Sequence, residues 1–151
     1  DMVEARGADV ELHIPALIPD DYLPDVHTRL TLYKRISGAR NAEELRELQV
    51  EMIDRFGLLP DAAKNLFAIA ELKLDATELG IRKLEMAEST GRVQFAEKPN
   101  VDPMAIIRLI QGQPKLYRME GPDKLRMTLE LPDAQSRLLA ARGIVTALQP
   151  A

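Results

Sequence analysis

Ile81–Glu97, IRKLEMAESTGRVQFAE, is the stretch that decides the fold, because the spacing of apolar residues changes there from a helical period to alternation. Residues 81–88 and 92–97 read as two strands around the turn Ser89-Thr90-Gly91, and Asp102-Pro103 then opens a short helix that closes at Gly112. The order recurs. Residues 115–120 and 124–131 read as strands around Gly121-Pro122-Asp123, and Pro132-Asp133 opens a last helix carrying Leu138, Leu139 and Leu148. Gly143 weakens that helix, which is expected to break there. Two consecutive strand-strand-helix units predict a small four-stranded antiparallel sheet with helices packed on one face.

Upstream, Val10, Leu12 and Ile14 alternate with Asp9, Glu11 and His13, so residues 8–14 read as a half-buried strand ending at Pro15. After a stretch rich in Pro and Asp, a helix begins near Asp25 with Val26, Leu30, Tyr33 and Ile36 on one stripe, and Gly38 stops it. The next helix starts at Asn41, which has capping-box spacing to Glu44. It buries Leu45, Leu48, Met52 and Phe56 and ends at Gly57. Pro60-Asp61 opens a third helix with Leu66, Ile69, Ala70, Leu74 and Leu79, ending at Gly80. The predicted class is α+β: an N-terminal strand and a three-helix layer, followed by the two strand-strand-helix units. The order is β-α-α-α-β-β-α-β-β-α.

With 151 residues the chain is one domain by length, enough to bury roughly 70% of its unfolded surface. The expected divisions are a strand and linker over 1–17, a helical part over 18–80 and the two repeated units over 81–151. Its composition, 46% apolar and 29% charged, suits a globular protein, and no apolar run is long enough for a membrane span. Cysteine is absent, which removes disulfides and thiolate chemistry and suits a reducing cytoplasm. A net charge of −4 argues against an isolated nucleic-acid binder. The chain begins at Asp1 without Met and reads as an excerpt of something longer.

Sites for chemistry are scarce. Neither GxxxxGK[ST] nor GxGxxG occurs, so the usual phosphate cradles are missing. His13 and His27 fall on different elements without metal-ligand spacing, and Ser37, Ser89 and Ser136 sit at helix ends or turns, where hydroxyls serve the backbone. No catalytic, cofactor-binding or metal-binding residue is expected. Two charged features remain. Arg29, Lys34, Arg35 and Arg40 form a basic cluster around Tyr33, readable as a phosphate contact or as a solvated helix face. On the second helix Glu47, Glu51, Asp54 and Arg55 fall opposite the apolar stripe. There Glu51 can pair with Arg55, while the surplus acid would suit either solvent or a basic partner.

Ile18-Pro19, Tyr22, Asp25, Arg29-Leu30 and Leu32-Tyr33-Lys34-Arg35-Ile36, with Asp54-Arg55-Phe56-Gly57 and Pro60, then Asn65-Leu66 and Leu79-Gly80-Ile81, resemble the C-terminal domain of the bacterial transcription-repair coupling factors, the Mfd family. The likeness in specific residues runs from about Val10 through Gly91, and residues 92–151 follow by continuity of element order. The resemblance implies a non-catalytic regulatory domain of a multidomain, ATP-driven double-stranded DNA translocase. Such factors release RNA polymerase stalled at lesions and recruit UvrA for nucleotide excision repair. ATP and magnesium would belong to a motor upstream, in a bacterial cytoplasm. The domain would dock on the N-terminal UvrB-like module of the same chain and mask its UvrA-binding surface. The family's docking residues match Glu51, Asp54 and Arg55, with Glu47 beside them. A DNA- or polymerase-contacting module using Arg29, Lys34, Arg35 and Arg40 is the competing expectation.

Overall fold

A computed structural model describes residues 7–150. Residues 1–6 of the segment expected as strand and linker lie outside the described residues. The chain divides into two compact units, Ile14–Leu74 and a second made of the residues through His13 with those from Asp75 onward. The division therefore falls inside the third helix rather than after it, and the N-terminal strand goes with the sheet. The element order is the predicted one.

The first unit holds α1 (Val26–Ser37), α2 (Ala42–Phe56) and most of α3 (Asp61–Glu78). Local chemistry sets the ends. Asp25 caps α1 by accepting from the Thr28 N–H at 2.9 Å, and Asn41 caps α2 by accepting from the Glu44 N–H at 2.9 Å. Glu44 does not complete a reciprocal box, because its carboxylate accepts from the Arg40 N–H instead. Gly57, at φ 99°, turns the chain out of α2 in a conformation costly for any residue with a Cβ. The core gathers Leu32 and Ile36 of α1, Leu45, Leu48 and Met52 of α2, and Ala63 and Phe67 of α3, closed by Ile18, Leu23 and Leu59. Each such Leu, Met or Phe contributes roughly 1.5–3 kcal/mol by leaving water.

The apolar stripe expected on α1 is corrected here. Val26 and Leu30 are 59% and 60% exposed, while Leu32 is buried. Apolar residues lie on two sides of this helix, and the side meeting α2 and α3 is selected by packing, which periodicity alone cannot see. On α3 the fully buried positions are Ala63, Phe67, Leu72 and Ala76, with Leu66, Ala70 and Leu74 only partly buried.

The second unit is a five-stranded mixed sheet of β1 (Asp9–Glu11), β2 (Ile81–Met86), β3 (Thr90–Phe95), β4 (Tyr117–Met119) and β5 (Lys124–Thr128), in the order β1-β2-β3-β5-β4. Four strands pair antiparallel as expected. The expectation of a four-stranded sheet is corrected by β1, which adds a fifth strand, parallel to β2, with Val10 opposite Leu84. Three helices intervene between them in sequence, and a parallel pair requires such a long connection. The strand predicted over 8–14 is shorter because His13 takes φ 55°. Arg137 holds that departure by donating to the Leu12 and His13 carbonyls at 3.4 and 3.0 Å.

Alternation turns Leu84, Met86, Val93, Leu125 and Met127 to the core and leaves Lys83, Arg92 and Lys124 exposed. The helices of this unit are α4 (Pro103–Gly112) and α5 (Ala134–Leu148), the latter contributing Ala141, Ile144, Val145 and Leu148 to the core. The break expected at Gly143 does not occur: α5 runs through it, and a Cβ there would meet nothing within 4 Å. Leu139, one of the three leucines singled out on this helix, is 64% exposed. At Gly80, φ 75° and a would-be Cβ only 2.8 Å from Pro99 Cα leave room for glycine alone.

Candidate docking site

Glu51, Asp54 and Arg55 occupy the last turns of α2, and Arg35 the last turn of α1. Arg35 donates to Glu51 in a two-pronged bond, Nη1 to Oε2 at 2.9 Å and Nη2 to Oε1 at 2.8 Å. Arg55 donates from Nη1 to Oε2 of the same carboxylate at 3.1 Å. Held first by the Arg35 hydrogen bonds and then by Arg55, the Glu51 carboxyl falls to about 2. Glu51 is therefore not surplus acid awaiting a partner, as the helical wheel alone suggests. Its charge is already matched within the domain, across two helices, by a residue the α2 pattern could not reveal.

The clamp also fixes Arg55. Its guanidinium lies 4.7 Å from the centre of the Phe56 ring, a cation-π contact. Phe56 meets Tyr22 edge to face at 6.1 Å. The Tyr22 hydroxyl donates to the Gly57 and Met52 carbonyls at 2.8 and 3.2 Å, tying down the end of α2. Burial pushes the Tyr22 phenol up, so it stays a donor.

Glu47 and Asp54 are exposed and have neither hydrogen-bond nor ion-pair partner among the described residues. Beside them stand three exposed aliphatic side chains that the charge pattern did not single out, Val50 (54%), Ile53 (38%) and Leu58 (83%). The signal for Val50 and Ile53 was available, since both fall off the α2 core stripe. The surface is thus a mosaic of a fixed arginine, two free carboxylates and an apolar patch.

Three of the four residues of the basic cluster are already engaged. Arg29 donates to the Leu23 and Pro24 carbonyls at 2.7 and 3.0 Å, Arg35 is held by Glu51, and Arg40 pairs with Glu44 at 3.2 Å. Only Lys34 of the four has no partner among the described residues. Among those residues no group of three or more His, Cys, Asp or Glu is placed to hold a metal, and no helix is long and apolar enough to cross a membrane.

Several residues that carry the family resemblance serve this unit directly. Besides Tyr22 and Arg29, the Tyr33 hydroxyl accepts from the Ile18 N–H at 2.7 Å, and Asn65 Nδ2 donates to the Pro15 carbonyl at 2.9 Å. They hold the irregular chain from Pro15 to Pro24 against the helices.

The chain is 48% identical over 145 residues to the transcription-repair-coupling factor of Escherichia coli (strain K12), covering 96% of this chain and 13% of that protein. It is 49% identical to that of Haemophilus influenzae over 88% of this chain and 12% of the relative. The chain thus spans about an eighth of the length of these relatives. A solved structure described as the C-terminal domain of transcription-repair coupling factor superposes with a TM-score of 0.74, covering 94% of each chain at 21% identity, which establishes the shared α+β fold. The family model described as the TRCF domain matches residues 12–106, and with these likenesses the chain belongs to the transcription-repair coupling factor family as its C-terminal domain.

Proposed function

We propose that this domain is a non-catalytic autoinhibitory latch. It docks through the end of α2 on the N-terminal UvrB-like module of the same chain and masks the surface that binds UvrA. The whole factor would be a cytoplasmic, ATP- and magnesium-dependent DNA translocase that releases stalled RNA polymerase and recruits excision repair, with the latch restraining both its motor and its UvrA surface. The observation that carries the reading is Arg55, pinned by Glu51 and Phe56 beside the unpartnered Asp54. A fixed cation and a free carboxylate side by side form a two-signed contact that a complementary surface can read with little ordering cost. Val50, Ile53 and Leu58 add apolar area without making the interface too greasy to reopen.

Such a contact would supply a coupling of about 1–3 kcal/mol, a shift of roughly 5- to 150-fold in the closed population. Tethering within one chain would raise its occupancy further. The competing reading, DNA or polymerase contact by Arg29, Lys34, Arg35 and Arg40, is less favoured because three of the four cations are already engaged. Titration of this chain into the separately expressed UvrB-like module tests the proposal. Binding that is lost in the Asp54→Lys/Arg55→Glu variant is expected; equal binding by the variant would remove this surface from the account.

A further inference from the structure

The solvent face of the sheet is unused by the reading above and carries an ordered row of charges. Pairing places Glu11 opposite Glu85, Glu85 opposite Arg92, Arg92 opposite Arg126, and Arg126 opposite Arg118. From β1 to β4 the row therefore runs acid, acid, arginine, arginine, arginine. Like charges directly opposite one another destabilise a sheet, yet two like pairs occur among the arginines. Glu120 relieves part of this, accepting from Arg126 at 2.9 Å and from Arg92 at 3.3 Å, and its carboxyl is held low by those bonds. Arg118 has no partner among the described residues. At the acidic end His13 Nε2 meets Glu85 at 2.8 Å, while Glu11 accepts from the His13 N–H at 3.1 Å and lies 3.4 Å from the same ring's Nδ1. Between the two ends lies a polar hollow of about 360 Å³ lined by Lys83, Glu85, Arg92, Gln94, Glu120 and Lys124.

The spacing of this row suits a helix. Neighbouring strands lie about 4.8 Å apart, so the row spans roughly 19 Å. Side chains one turn apart on a helix stand about 5–6 Å apart, and a helix of about 13 residues covers the same length. We propose that the open sheet face binds an α-helix of a partner protein laid across the strands. Its row of carboxylates sits over Arg92, Arg126 and Arg118, and its basic end over Glu11 and Glu85. A nucleic acid fits less well. Its uniformly negative backbone would run from the arginines onto Asp9, Glu11 and Glu85, and among the described residues the face offers no aromatic ring for base stacking, since Tyr117 pairs with Met127 and shares its inward side.

The test uses fluorescein-labelled, alanine-based helical peptides and this chain at low salt. One peptide carries Lys, Lys, Glu, Glu, Glu along one face; a second has the same residues with the charges evenly alternated; a short DNA duplex is the third probe. The ordered peptide is expected to bind at least about 10-fold more tightly than the alternated one. It should also shift amide resonances of β3, β5 and β4. Arg118→Glu, at an exposed position without a native partner, should weaken it about 10-fold with an unchanged amide spectrum elsewhere, and Arg126→Glu should do so more strongly. Equal affinity for both peptides, equal binding by the Arg118→Glu variant, no peptide binding, or tighter binding of the duplex at this face would each overturn the proposal.

Discussion

Replacing Glu51 by Gln should loosen the α1–α2 pair while leaving the chain folded. A carboxyl held at about 2 instead of 4.5 would be worth roughly 3 kcal/mol if its partners were shielded from water. They are not: the side chains of Arg35, Glu51 and Arg55 are 45%, 34% and 50% exposed. Solvent screening brings the cost of Glu51→Gln at pH 7 to about 1 kcal/mol, a fall of about 0.5 M in the urea midpoint. The pH dependence follows from the depressed carboxyl. Its stabilising share is complete above the unfolded value near 4.5 and is lost as pH falls towards the folded value of about 2. Urea unfolding followed by amide signals of α1 and α2 should show the gap between wild type and Glu51→Gln at pH 7, narrowing below 4.5 and closing near pH 2. A gap that is absent at pH 7, or as wide at pH 2 as at pH 7, would refute the clamp.

Three further outcomes check the packing. Tyr22→Phe removes the donor to the Gly57 and Met52 carbonyls and should cost about 1 kcal/mol by denaturant unfolding, with faster amide exchange at the end of α2. Gly80→Ala would drive a Cβ into Pro99 at φ 75°, so a loss of about 2 kcal/mol or more is expected in the sheet unit, read from its amide exchange. Gly143→Ala, in an unbroken helix with open space around it, should instead stabilise by about 0.5–1 kcal/mol, seen as a raised midpoint.

What the sequence made legible was local. Asp25, Asn41, Asp102 and Asp133 each cap the helix that they were expected to open, and Gly121-Pro122-Asp123 separates the second strand pair as expected, whereas the first turn falls at residues 87–89 and Thr90 and Gly91 already belong to β3. These signals act within a few residues, where cap and turn chemistry dominates. What it hid was set by distant packing. The choice of Leu32 over Leu30 depends on which side of α1 meets the other helices, and the pairing of β1 with β2 joins residues far apart in the chain. Gly143 was misread because a single glycine's cost is small against the burial of Ile144, Val145 and Leu148 around it. At the candidate site, the α2 period put Glu47, Glu51, Asp54 and Arg55 off the buried stripe, and Glu47, Asp54 and Arg55 are exposed. It could not show that Arg35 of another helix takes the Glu51 charge, which leaves Asp54 and Arg55 as the pair turned outward.

The most direct measurement of the latch is the affinity of the full-length factor for UvrA, with and without the Asp54→Lys/Arg55→Glu substitutions. Opening by loss of a 1–3 kcal/mol coupling predicts a rise of roughly 5- to 150-fold in apparent affinity. Unchanged affinity in a variant whose domain remains folded would contradict the claim that this surface holds the factor closed.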